Sequence, residues 1–208
     1  PRSVSPERVA ILRALGAELI FTDADEGADG AIRAVQTLAA EHPDRYFYAN
    51  QYDNPANWQA HYKTTGPEIV AQTGGKVTHF VAGMGTSGTI TGTALALREH
   101  NPDVEIVGVQ PDRAAHSIGG LKHMQTAILP GIYNPSTPDR TITVSTEQAR
   151  AMVRRLAREQ GYFVGVSAGA AAAATLQVAQ ELEQGVVVTL FPDAGYKYLS
   201  DKALWNDN

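Results

Sequence analysis

The feature that most constrains this chain is a β-branched apolar run, residues 77–82, that passes directly into Gly83-Met84-Gly85-Thr86-Ser87-Gly88-Thr89-Ile90-Thr91-Gly92. A run of that length and make-up reads as a buried strand, and the segment after the glycines has helical length up to His100. Glycines at 83, 85 and 88 let the backbone turn sharply and come close to a ligand with no Cβ in the way. Successive N–H groups can then converge on an anion, and the helix that follows adds its positive end. Thr86, Ser87 and Thr89 add hydroxyl donors. A strand–helix turn with glycines for packing alone has the same spacing, so the loop is first a turn and second a candidate anion cradle.

The alternatives for such a loop differ in testable ways. No Gly-Lys-Ser/Thr ending is present, which excludes a nucleotide triphosphate P-loop. Gly83-x-Gly85-x-x-Gly88 matches the dinucleotide fingerprint, but that motif needs an acidic residue at the end of the next strand, and Gln110 stands there. The dense hydroxyls suit a phosphate monoester better than a pyrophosphate.

Around this loop the chain alternates helix and strand. Ser5-Pro6 opens a helix that closes at Gly16, residues 17–22 read as a strand, and residues 30–41 as a helix. Residues 46–49 read as another strand. Helical residues 56–72 carry an interruption at Gly66-Pro67, and residues 104–110 read as a buried strand. A strand at 141–144 precedes a helix whose Ser145-Thr146-Glu147-Gln148 start is a capping-box pattern. A strand at 162–166, a helix at 168–184 and a strand at 186–191 complete the order. This predicts an α/β fold with βαβ units and an open, mainly parallel sheet. Residues 111–140 hold no period, and so long a connection usually lines or covers a site. The alanine run 170–174 predicts a helix packed closely on a neighbour.

Composition narrows the function classes. The 208 residues carry no cysteine, which excludes disulfides, thiolate nucleophiles and cysteine-based metal sites, and no metal site is predicted. A net charge of −5 and a pI near 5.7 argue against a nucleic-acid surface. Arg150, Arg154, Arg155 and Arg158 read as the solvated face of an amphipathic helix. No apolar run approaches the roughly 18–20 residues of a membrane span. A cytoplasmic address fits.

Two further strand ends carry polar turns, Ser167-Ala168-Gly169-Ala170 and Pro192-Asp193-Ala194-Gly195-Tyr196. In an open parallel sheet such turns share one crevice beyond the carboxyl ends of the strands. Alone, Ser167 reads as a helix cap and Asp193 as a turn residue.

Taken in order, Asn54-Pro55-Ala56-Asn57, Thr64-Thr65-Gly66-Pro67-Glu68, Gly85-Thr86-Ser87-Gly88-Thr89, Val166-Ser167-Ala168-Gly169-Ala170 and the segment from Pro192 through Ser200 resemble the cysteine synthases (O-acetylserine sulfhydrylases), β-family pyridoxal-phosphate enzymes. Met84 and Gly195-Tyr196-Lys197 are closer to the B-type. The resemblance implies a tryptophan synthase β-like fold (fold type II), with residues 1–49 ending a smaller mobile α/β domain and residues 50–208 forming the cofactor domain. It implies that Gly85, Thr86, Ser87, Gly88 and Thr89 hold the phosphate of pyridoxal 5'-phosphate. Ser167 would meet the pyridine nitrogen, and Asp193 would belong to the same site. Gln51 and Gly120 would face the substrate. Lys122, with His116 and His123 near it in the long connection, is a candidate substrate-binding residue that would pair with a substrate phosphate, against the reading of a solvated loop charge. A neutral serine at the ring nitrogen favours β-elimination through an aminoacrylate over chemistry that needs a full carbanion sink.

The implied reaction replaces the leaving group of O-acetylserine or O-phosphoserine with a sulfur nucleophile to form L-cysteine. Sulfide or a sulfur-carrier protein would be the donor. A homodimer is the expected assembly, and serine acetyltransferase an expected partner. A cystathionine β-synthase-like enzyme and a catalytically incomplete binding or regulatory module remain as alternatives. None of Lys63, Lys76, Lys122, Lys197 and Lys202 stands in the family's Ser-x-Lys-Asp-Arg context, and the Thr-Ser-Gly-Asn-Thr-Gly carboxylate loop does not occur. Both are expected upstream of Pro1, in the N-terminal third of the family chain, so no residue here is assigned as the Schiff-base lysine.

Overall fold

The computed structural model describes residues 1–206, and it divides into two compact units, Pro1–Asn50 with the chain from Tyr196 onward, and Gln51–Gly195.

In the first unit, α1 (Pro6–Ala14) starts at Ser5, whose side chain accepts from the Arg8 N–H, with proline at the first helical position. Proline has no N–H to lose there and its φ suits a helix. The Ser5 hydroxyl also donates to the Lys197 carbonyl at 2.8 Å, and Glu7 accepts from the Ser200 N–H and hydroxyl. These bonds tie α1 to the C-terminal segment, where Asp201 caps the short α8 (Lys202–Trp205). The longer α2 (Gly27–Glu41) follows. The strands expected at 17–22 and 46–49 are absent among the described residues; both segments lack regular structure and belong to no ladder. Residue pattern gives a segment the tendency to extend, and only a second backbone makes it a strand.

The second unit is built on a four-stranded parallel sheet of order β3-β2-β1-β4, with β1 at His79–Gly83, β2 at Glu105–Pro111, β3 at Arg140–Val144 and β4 at Val187–Thr189. Consecutive side chains leave a strand on opposite faces. On one face Phe80, Ala82 and Ile106 pack with Ile90, Ala94 and Leu97 of α5 (Gly88–His100). Val81, Val107 and Val109 are fully buried on the other, where α7 (Val166–Gln180) lies along the sheet. The chain leaves β1 toward β2 on one side, and β4 later returns on the other. The carboxyl end of β1 is therefore the switch point at which an open sheet leaves a crevice.

Three elements differ from the pattern-based expectation. The helical stretch breaks at Thr64, between α3 (Ala56–Lys63) and α4 (Thr65–Thr73), and Gly66-Pro67 lie inside the first turn of α4. Proline is tolerated there because those N–H groups have no partner to lose. Residues 162–166 form no strand; Val164 makes an isolated antiparallel bridge to Ala194, and α7 begins at Val166. Ser167 consequently lies within the first turn of α7 and does not cap it; the cap position is Gly165.

The alanine run lies on the sheet and beside α6 (Thr146–Arg155), whose Ser145 and Gln148 form the expected capping box. A Cβ added at Gly169 would overlap the Ala149 carbonyl and reach 2.6 Å from Val153 Cγ2. Gly169→Ala is therefore expected to cost about 1–3 kcal/mol in urea unfolding. Gly119→Ala, where nothing lies within 4 Å of the new methyl, should stay within about 0.5 kcal/mol of the parent.

Candidate functional site

The candidate site grows from the turn after β1. Met84 still bonds to the ladder through its N–H to the Val109 carbonyl (2.8 Å), and the chain then leaves the sheet. Ser87 takes φ +68°, a left-handed conformation rare outside glycine, and its buried hydroxyl has no hydrogen-bond partner in the protein. No side chain caps the start of α5. Thus a strained backbone, an orphaned hydroxyl and uncapped N–H groups meet at the positive end of one helix. These properties fit a bound anion.

The long connection between β2 and β3 closes over this turn. The Lys122 N–H donates to the Met84 carbonyl at 2.9 Å, and Leu121 packs against Gly83. A Cβ at Gly85 would overlap the Gly120 carbonyl, and one at Gly120 (φ +95°) would lie 3.8 Å from Ser167 Oγ. Gly85, Gly120 and Ser167 thus share one small region. Ser167 is buried, and the residue two before it, Gly165, donates its N–H to the Asp193 carbonyl (3.1 Å). The Gln51 carbonyl accepts from Asn57, which also reaches Thr86. Lys122 is 9% exposed, with Nζ 5.2 Å from the centre of the Tyr52 ring. It is a buried cation on an aromatic face and not a solvated loop charge.

Pattern reading did not give several residues the supporting roles they have in the structure. Gln110, at the end of β2, is buried and accepts from the Met124 N–H at 3.3 Å, so it fastens the long connection. Ile118, Leu121 and Met124 are buried. Their three-residue spacing was the available signal in a stretch without regular elements. Asn57 and His61, four apart on α3, both face the glycine loop. His116 accepts at Nδ1 from the Ile118 N–H (3.2 Å). Burial first, then the neighbouring His123, holds the His116 ring below its usual 6.5 against a smaller opposite pull from Asp112.

A family model described as pyridoxal-phosphate dependent enzyme matches residues 1–193. The chain belongs to that family. It is similar to a cysteine synthase of Aquifex aeolicus, 51% identical over all of this chain and 64% of the relative. It is also similar to cysteine synthase B of Escherichia coli, 44% identical over 96% of this chain and 65% of the relative. The chain therefore spans just under two thirds of these curated relatives. Among solved structures, an O-acetylserine dependent cystathionine beta-synthase from Helicobacter pylori superposes with a TM-score of 0.90 at 39% identity, over 99% of this chain and 69% of that one. The parallel α/β architecture is shared, as the tryptophan synthase β-like reading expects.

Two measurements probe the site's geometry. Ser87→Gly relieves a left-handed φ and removes an orphaned buried hydroxyl, so the cofactor-free protein should gain about 1 kcal/mol in chemical unfolding. The same substitution should weaken cofactor binding in equilibrium dialysis. For His116, the depressed ring favours the neutral form in the fold. Its contribution to stability is thus complete above 6.5 and is lost as pH falls through the lowered midpoint. In an NMR titration the His116 midpoint should lie below 6.5. His123→Asn should raise it only part of the way, because burial is the larger cause.

Proposed function

We propose that the complete protein is a pyridoxal-phosphate dependent cysteine synthase, replacing the leaving group of O-acetylserine with sulfide. The observation that carries this reading is the meeting of the glycine cradle, Gly120 and Ser167 at the switch point of the sheet. In this reading the cradle from Gly85 to Thr89 holds the cofactor's phosphate, with the N–H groups at the start of α5 and the hydroxyls of Thr86, Ser87 and Thr89 as donors. Ser167 gives the pyridine nitrogen a neutral hydrogen bond, and Asp193 supports the turn beside it. Gln51 orients the substrate carboxylate, and Gly120 lines the substrate side. When bound, the cofactor supplies the electron sink that lets a β-leaving group depart from an amino acid.

What the chain contributes is position and a dry, neutral contact at Ser167. A hydroxyl there does not stabilise a positive ring nitrogen as a carboxylate does, which favours β-elimination over reactions that need a stronger sink. The cysteine synthase relatives at 51% and 44% identity support sulfide as the nucleophile. Residues 1–49 are read as the end of the smaller mobile domain and residues 50–208 as the cofactor domain. A cytoplasmic homodimer, with serine acetyltransferase as a partner, belongs to the same proposal.

Substitution of Lys122 tests which activated serine is the substrate. An acetyl ester needs no cation at its leaving group, whereas a phosphate ester does. Lys122 sits on the Tyr52 ring. The complete protein should turn over O-acetylserine with sulfide at a higher kcat/KM than O-phosphoserine, and Lys122→Ala should leave that order unchanged. A preference for O-phosphoserine that disappears in Lys122→Ala would reassign the substrate and make Lys122 its phosphate contact. No cysteine from either ester would overturn the reading.

A further inference from the structure

α3 is the element behind the glycine loop, and it lies closer than side chains on the loop would permit. A Cβ at Gly88 would overlap Asn57 Oδ1, and one at Gly92 would overlap the Trp58 carbonyl and reach 2.9 Å from His61 Cβ. Across this contact Asn57 Nδ2 lies 2.6 Å from the Gln51 carbonyl and 3.0 Å from Thr86 Oγ1. His61 Nε2 lies 3.2 Å from Thr89 Oγ1, and its Nδ1 lies 2.9 Å from Thr65 Oγ1. Residues four apart on a helix share a face, so one face of α3 touches both threonine hydroxyls of the loop.

We propose that Asn57 and His61 are positioning residues that occupy the acceptor side of the Thr86 and Thr89 hydroxyls, leaving each hydroxyl proton to point at the anion in the cradle. This rests on reading the loop as a phosphate site. The argument for Asn57 is chemical. The Gln51 carbonyl can only accept, so the amide atom facing it must be nitrogen, and the same nitrogen therefore donates to Thr86. A hydroxyl that accepts through oxygen still has its one proton to give. Asn57 also links the Gln51 backbone to the cradle, so the substrate side and the phosphate side share one brace.

His61 works by tautomer. Burial lowers its affinity for a second proton and favours the neutral ring. With the proton on Nε2, the ring donates to Thr89, accepts from Thr65 at Nδ1, and leaves the Thr89 proton free. With the proton on Nδ1, Thr89 would have to donate to Nε2 and would have nothing for the anion. An anion in the cradle therefore selects the Nε2–H form, and the run Thr65 to His61 to Thr89 becomes a chain of donors ending at the ligand.

The test uses the complete protein loaded with pyridoxal phosphate. Cofactor affinity by equilibrium dialysis should fall about five- to tenfold in Asn57→Asp, which keeps shape but loses the donor, and in His61→Phe. His61→Gln, whose amide can donate, should restore most of the loss. In a Thr89→Val background His61→Phe should cost nothing further, and Asn57→Asp should cost nothing further in Thr86→Val. Nitrogen-15 NMR of His61 should show Nε2 protonated in the loaded protein, and phosphorus-31 NMR of the bound phosphate should shift in the single variants. Full additivity in both double variants, or an Nδ1–H ring in the loaded protein, would overturn the inference. Unchanged affinity in Thr86→Val and Thr89→Val themselves would instead overturn the phosphate reading on which it rests.

Discussion

The second unit depends on backbone approaching backbone where no side chain intervenes. Gly88 and Gly92 let α3 rest against the start of α5, Gly66 lets α4 meet Ala96 on the same helix, and Gly85 lets the long connection reach the loop through Gly120. Each approach puts polar groups of one segment within reach of another, which apolar packing at ordinary helix distances would not do. A methyl at Gly85 or Gly92 forces a shift of backbone, whereas one at Gly88 displaces the Asn57 amide and one at Gly66 the Ala96 methyl; changes of this kind cost about 1–3 kcal/mol. The cradle is thus less a loop on a scaffold than a junction of four segments held at glycine spacing.

Much of this was legible from sequence because the signals were local. The run into Gly83, the Ser5-Pro6 start, the Ser145–Gln148 capping box and the buried strand ending at Gln110 each state their conformation within a few residues. The order of elements then implied a parallel sheet, since a helix between strands brings the chain back to the same end. The site residues named from resemblance all lie in the second unit, and the contacts of Gly85, Gly120 and Ser167 connect them.

What pattern could not state was partnership. Residues 17–22 and 46–49 have strand-like composition, yet an extended segment becomes a strand only when another backbone completes its hydrogen bonds. Residues 162–166 read as a strand for the same reason and were diverted, with Val164 bridging Ala194. Ser167 carried a helix-cap signal, but its place inside the first turn of α7 follows from Gly165 bonding to Asp193, a contact nearly thirty residues away in sequence. The connection from 112 to 139 hid its order because its anchors are single apolar residues and backbone bonds to distant segments, none of which leaves a period.

The strain at Ser87 shows which of these forces prevails. Holding a serine at a left-handed φ costs about 1–2 kcal/mol, and its buried hydroxyl without a partner adds a desolvation cost of similar size. A folded protein whose total stability is about 5–15 kcal/mol tolerates this only where something offsets it. A ligand that binds the folded chain alone and is present at a hundred times its dissociation constant contributes about 2.7 kcal/mol. That is the same size as the strain, so a bound anion is sufficient to offset what the loop costs. Glycine at position 87 would remove the strain but would also remove the hydroxyl. In the proposed reading the serine is explained by the ligand and not by the fold, whereas the Gly120 carbonyl excludes a side chain at Gly85, and Asn57 one at Gly88, before any ligand arrives.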